Sequence, residues 1–142
     1  MKSCGVELTG SDAVICLLDR DRGQLHIPDC RVRKLTLRKD HDREDLQRFQ
    51  NTFAKLMSDY SIDCVVIKER LPKGKFAGGA ISFKLESAIQ LIEGLDVILL
   101  SAAKIKSVMA ANPLLMPFSD TGLKVFQESA FSAAYAAHMS AQ

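Results

Sequence analysis

The order of hydrophobic patterns predicts an α/β protein: one mixed five-stranded sheet, three strands antiparallel and then two parallel, with helices on both faces. Two observations carry this. Residues 5–37 hold three strand-like runs separated by turn clusters, and the period then lengthens to that of an amphipathic helix. Farther on, two short unbroken apolar runs, Cys64-Val65-Val66-Ile67 and Val97-Ile98-Leu99-Leu100, alternate with helical stretches. Parallel strands buried on both faces read this way.

The first strand is expected over Gly5 to Thr9, the second over Ala13 to Asp19 and the third over Cys30 to Leu37, with Gln24 to Ile27 as an early start to the third. Thr9-Gly10-Ser11-Asp12 and Arg20-Asp21-Arg22-Gly23 are the turns, short enough to make these strands antiparallel. Leu46, Phe49, Phe53, Leu56, Met57 and Tyr60 fall on one helical stripe, with Asp42 as N-cap. A second helix aligns Ile81, Leu85, Ala88, Ile89 and Ile92 and is closed by Gly94. Ser101 caps a short helix through Ala111 that Pro113 ends. An alanine-rich last helix spans about Thr121 to Met139. Right-handed crossovers make the two later strands parallel. No linker, repeat or low-complexity segment divides residues 1–142, so one domain is expected.

With 142 residues, 47% of them hydrophobic and 25% charged, the chain is able to bury a core, which excludes disordered, collagen-like and disulfide-scaffold classes. Nineteen Lys and Arg against 17 Asp and Glu leave +2. Overall charge therefore demands neither nucleic acid nor an anionic membrane, and only local clustering argues for either. No apolar run approaches the ~20 residues of a bilayer span. Met1-Lys2-Ser3-Cys4-Gly5 leads into a strand pattern without the apolar core of a signal peptide, so a cytoplasmic location without a membrane partner is expected. Cys4, Cys16, Cys30 and Cys64 lack CxxC spacing and lie in or beside apolar runs. They are expected as reduced core thiols rather than as a disulfide or a zinc site.

Three acids stand at unusual places. Glu7 lies in the middle of Cys4-Gly5-Val6-Glu7-Leu8, a strand expected to be central, where a carboxylate must be paired, hydrogen-bonded or metal-bound, or else lie at an uncovered end of the sheet. Glu69 follows an apolar strand at its C-terminal end, the edge where open α/β sheets present functional groups, unless it is a solvated turn acid paired with Lys68 or Arg70. Glu128 precedes Phe131 by one helical turn, near an apolar stripe where boundary acids are also common.

Basic residues cluster twice. Arg31, Arg33, Lys34, Arg38 and Lys39 precede the acid Asp40, and Lys68, Arg70, Lys73, Lys75 and Lys84 face only Glu69 within their segment. Lys73-Gly74-Lys75-Phe76-Ala77-Gly78-Gly79 is flexible and cationic and carries one aromatic ring. It suits a phosphate backbone, or it is a solvated loop. It lacks the GxxxxGK[ST] order of a P-loop. His26, His41 and His138 show no metal-ligand spacing, and His138 is expected as a cation at a helix end. No nucleophile elbow supports acyl transfer.

Three segments in this order resemble the ribonuclease H-like superfamily, nearest to its RuvC and YqgF-type resolvase branch. Gly5-Val6-Glu7-Leu8-Thr9-Gly10-Ser11 resembles the first-strand motif, in which a Gly-Ile-Asp-x-Gly segment carries the first metal ligand. Val66-Ile67-Lys68-Glu69 resembles the strand that ends in a catalytic Glu, and the run from Glu128 to His138 resembles the alanine-rich last helix. The chain also resembles a bacterial family of short single-domain members of this fold, from which no activity follows.

The resemblance implies nucleic-acid binding with Mg²⁺-dependent phosphodiester cleavage. Glu7, Glu69 and Glu128 would be both catalytic residues and metal ligands, and Mn²⁺ would substitute for Mg²⁺. Lys68, Arg70, Lys73 and Lys75 would contact the nucleic acid. Two departures stand out: Glu7 is one methylene longer than the usual Asp, and Phe131 occupies the place of a second acid in the last helix. The alternative is a non-catalytic binding or assembly module with a degenerate site. Small-molecule phosphate binding of the actin-like kind needs two such domains around the nucleotide. The last helix, with Phe126, Phe131 and Tyr135, is apolar enough that a homodimer through it or through a sheet edge is expected.

Overall fold

The computed structural model describes residues 1–38, 41–75 and 77–140. Strand β1 (Lys2–Thr9) and strand β2 (Asp12–Asp21) form a hairpin, from Lys2 opposite Asp19 to Thr9 opposite Asp12. Next come β3 (Gln24–His26), β4 (Lys34–Thr36), α1 (Arg43–Asp59), β5 (Cys64–Lys68), α2 (Ala80–Gln90), β6 (Asp96–Leu100), α3 (Ala102–Ala111) and α4 (Glu128–Ser140). The sheet runs β3-β2-β1-β5-β6, with β4 also pairing to β2. β5 is parallel to both β1 and β6, as the crossover rule predicts.

The sheet has six strands where five are expected, because the anticipated third strand is two short ones. β3 pairs with Asp19 to Asp21 and β4 with Asp12 to Val14. Between them Pro28 has no N–H for a ladder, and the Arg31 N–H donates to the Tyr60 hydroxyl at 2.9 Å. β6 departs from expectation too. It is the edge strand, with Ile98 41% exposed, rather than a strand covered on both faces.

Alternation along the strands sorts the core into two layers. Cys4, Val6, Leu8, Ile15, Leu17, Val65 and Ile67 pack against the α1 and α2 side chains Phe49, Phe53, Leu56, Leu85 and Ile89. The Asp42 carboxylate accepts the Asp45 N–H at 2.9 Å and the Asp45 carboxylate accepts the Asp42 N–H, a capping box that starts α1 where the sequence places it. On the other face Val14, Cys16 and Leu18 meet α4. Val66 joins Ile105 and Val108 of α3 against Ala133, Ala136 and Ala137. Thus α4 is covered by the sheet on one side and α3 on the other. Its apolar character needs no second copy of the chain to explain it.

The last helix starts at Glu128, not near Thr121. Gly122 takes a left-handed φ of +82°, and 3-10 turns occupy Phe118–Thr121 and Val125–Gln127. The buried Gln127 amide ties this segment to the sheet by donating to the Ile15 carbonyl at 2.9 Å. All four cysteines are free thiols. Burial pushes the Cys16 thiol up to about 12, so it stays protonated and apolar at neutral pH. Among the described residues no helix is long and apolar enough to cross a membrane.

His138 corrects the expectation of a helix-end cation. It is buried, with Nε2 2.8 Å from the Ser3 hydroxyl on β1. Burial holds its pKa below the usual value, and the nearby N-terminal ammonium and Arg20 act in the same direction against Leu18 and Asp19. A pKa depressed in the folded state means the neutral ring stabilises the fold above the unfolded value near 6.5, and this contribution is lost as pH falls through the folded value. Thermal melts at about pH 7.5 and about pH 5 are expected to show a larger fall in Tm for the unmodified protein than for His138→Gln. Equal falls would remove His138 as the acid-sensitive group.

Candidate nucleic-acid interface

The C-terminal end of β5 meets the starts of α3 and α4 at one cleft, and β1 runs beside β5, so the predicted acids lie at or near this edge. Val6 pairs with Ile67, so the next step of the register places Glu7 beside Lys68. The Lys68 ammonium lies 4.0 Å from Glu7 Oε2, with side-chain exposures of 34% and 27%. Alternation puts both on the α4 face, together with Gly5 and Val66. Glu7 is thus a half-buried, paired acid near the C-terminal end of its strand.

Lys68 also lines a cleft of about 360 Å³ with Lys106 of α3 and with Glu128, Ser129 and Ser132 of α4. Glu128 is the first residue of α4 and is exposed. Glu69, also exposed, continues the ladder by donating its N–H to the Leu100 carbonyl at 2.7 Å. Alternation assigns its side chain to the face opposite Lys68, and it is not part of the cleft lining. The structure therefore brings Glu128 to Lys68, and Lys68 to Glu7, without gathering the three carboxylates. Among the described residues no group of three or more His, Cys, Asp or Glu side chains is placed to hold a metal ion.

Phe131 explains part of this. It is 3% exposed, and its ring packs 5.7 Å from Phe118 and 5.8 Å from Tyr135, so an apolar stack stands where a second acid would be needed. A pair of Mg²⁺ ions needs several carboxylate oxygens facing one point. Here the one acid on β1 is already beside an ammonium. The donor set does not fit a metal pair.

The basic residues divide. Arg70 turns inward: its guanidinium is 3.1 Å from Glu86 of α2 and 4.6 Å over the Phe83 ring, with 12% of the side chain exposed. Burial lowers its pKa against the pull of Glu86, and its Nε and Nη1 are buried without a partner. Gly78 lies on it so closely that a Cβ there would fall 2.9 Å from Arg70 Cβ and Nε. Arg70 thus anchors the loop instead of meeting solvent. Lys73 and Lys75 are exposed on that loop, which the Gly78 N–H closes onto the Leu71 carbonyl at 2.9 Å. Phe76 and, in the earlier basic run, Lys39 lie outside the described residues. Arg31 pairs with Asp59 at 2.6 Å and Lys34 lies over Phe126.

Lys106 also lines the cleft, although the basic clusters of the sequence do not include it. It lies on α3, the helix that follows the last strand, and only the packing of that helix brings it to the cleft.

A family model described as protein of unknown function (DUF3010) matches residues 1–137. The chain belongs to this family. Comparison of the DUF3010 chain with curated proteins finds no match. Among solved structures, Thermus thermophilus RuvC is similar with a TM-score of 0.76 and 12% identity, over 99% of this chain and 95% of that one. The T. thermophilus RuvC in complex with Holliday junction substrate gives a TM-score of 0.74 and 13% identity, over 99% and 94%. This likeness shows the fold: the DUF3010 chain has a ribonuclease H-like, RuvC-like architecture. Activity does not follow from it.

Proposed function

We propose that this DUF3010 protein binds nucleic acid through the sheet edge that carries Lys68, Lys73 and Lys75, and that it does so without cleaving the strand by a metal pair. The observation that carries this is the Lys68 ammonium 4.0 Å from the Glu7 carboxylate, where a first metal would have to sit. The ammonium would oppose a cation bound at Glu7, by about 4 kcal/mol per unit of its charge were the two 4 Å apart at an effective dielectric of 20, less after solvent screening, and it already neutralises the carboxylate that would attract one. The same ammonium supplies a fixed positive charge of the kind a phosphate backbone needs. A solved RuvC of the same architecture is in complex with a Holliday junction, which supports nucleic acid as the ligand class.

Anisotropy titration of labelled DNA and RNA at two salt concentrations tests binding. Changing both Lys73 and Lys75 to Ala is expected to weaken it about 10-fold at low salt, without regard to sequence, and to reduce the slope of log K against log salt by about 1.8 on duplex DNA and about 1.4 on a single strand, for two lost phosphate contacts. Incubation with Mg²⁺ or Mn²⁺ is expected to yield no more product from the unmodified protein than from Glu69→Gln. No binding at low salt would leave a protein-assembly module as the function. Metal-dependent cleavage that disappears in Glu69→Gln would restore the nuclease, with Glu7, Glu69, Glu128 and Mg²⁺ as its parts.

A further inference from the structure

We infer that the cleft between the end of β5, α3 and α4 is a subsite for one unpaired nucleotide, with its phosphate at Lys68 and Lys106 and its base against Phe118. This rests on nucleic acid being the ligand and names which part of it enters. The cleft's volume, about 360 Å³, is at the small end of the range for ligand sites and admits a single nucleotide but not a stacked base pair.

Its lining is divided in the way a nucleotide is divided. Lys68, Lys106, Ser129 and Ser132 supply donors, and Phe118, Met109 and Leu114 supply an apolar wall. The first residue of α3, Ala102, borders the same space, so the positive end of that helix adds to two ammonium groups. Glu7 holds Lys68 from the strand side at 4.0 Å. An ammonium has three donors, so this leaves others for a phosphate oxygen. Glu128 brings a carboxylate acceptor to the lining, suited to a sugar hydroxyl or a base amino group.

The wall is fixed before any ligand arrives. Phe118 is half-buried and is backed by Phe131 at 5.7 Å and 60°. An aromatic ring held this way accepts any base, since every base has a π face, but only a base that has left its stack. Because Lys68 and Lys106 supply cations, the phosphate is expected to be held without a divalent ion.

The test is anisotropy of a short labelled single strand and of the blunt duplex of the same sequence, with EDTA or with Mg²⁺. Lys106→Gln and Phe118→Leu are compared with the unmodified protein after thermal melts show that each is folded. Lys106 is exposed, so its variant keeps the test open should Phe118→Leu unfold. The unmodified protein is expected to hold the single strand about 10-fold tighter than the duplex, with or without Mg²⁺, and each variant to lose about 5- to 10-fold on the single strand alone. Equal affinity for both forms, or single-strand binding unmoved by both variants, would overturn the subsite. If Lys73 and Lys75 still mattered in that case, nucleic-acid binding would stand and only the subsite would fall. Failure to bind either form would overturn both.

Discussion

Gly5→Ala is expected to destabilise the protein by about 3 kcal/mol, the upper end of what overpacking costs. A Cβ at Gly5 would lie 1.8 Å from the Ala130 carbonyl oxygen and 3.0 Å from the Ala134 Cβ, so α4 must move away from β1 to admit it. The obstacle is helix backbone, which cannot rotate aside as a side chain does. The displaced helix carries Glu128, Ser129 and Phe131, so the cleft that Lys68 shares with them should open as stability falls. Urea unfolding should show a lower midpoint with an unchanged slope. A loss below about 1 kcal/mol would show that α4 does not lie on β1 at this point.

Phe53→Ala is expected to cost about 3–5 kcal/mol by leaving a cavity in the other layer. The Phe53 ring is fully buried, 6.2 Å from Phe49 and packed among the strand side chains of the face opposite α4. The two substitutions should differ in their effect on function. Because Phe53 lies across the sheet from the cleft, the folded fraction of its variant should bind nucleic acid as the unmodified protein does, and titrations corrected for that fraction check this. Weakened binding by folded Phe53→Ala would place part of the interface on the α1 and α2 face.

Periodicity is local, and what it governs is legible in the chain. The stripe from Leu46 to Tyr60 and the acid at Asp42 specify α1 with its cap, and the apolar runs at Cys64 and Val97 specify two parallel strands, because burial of a 3.6- or 2-residue repeat acts within a few turns. The resemblance to the ribonuclease H-like fold needs little more than this order of elements. The structure departs from the pattern where a single residue overrides it. Pro28 interrupts the anticipated third strand, and Gly122 in its left-handed turn delays α4 to Glu128.

The chemistry of the edge depends on pairs that lie far apart in sequence. Whether Lys68 or Glu69 faces Glu7 is decided by the register of β5 against β1, and a shift of one residue would exchange them. Arg70 reads as a surface base until Glu86 and Phe83 of α2 draw it inward, and His138 reads as a helix-end cation until α4 lays it on Ser3. Lys106 enters the site only because α3 packs beside α4. Local repeats thus settle which elements form, since each is stabilised by its own neighbours in the chain. The tertiary packing of β1, β5, α3 and α4 settles which charges meet, since a side chain's partner across the sheet is set by register and helix placement, which no local repeat records.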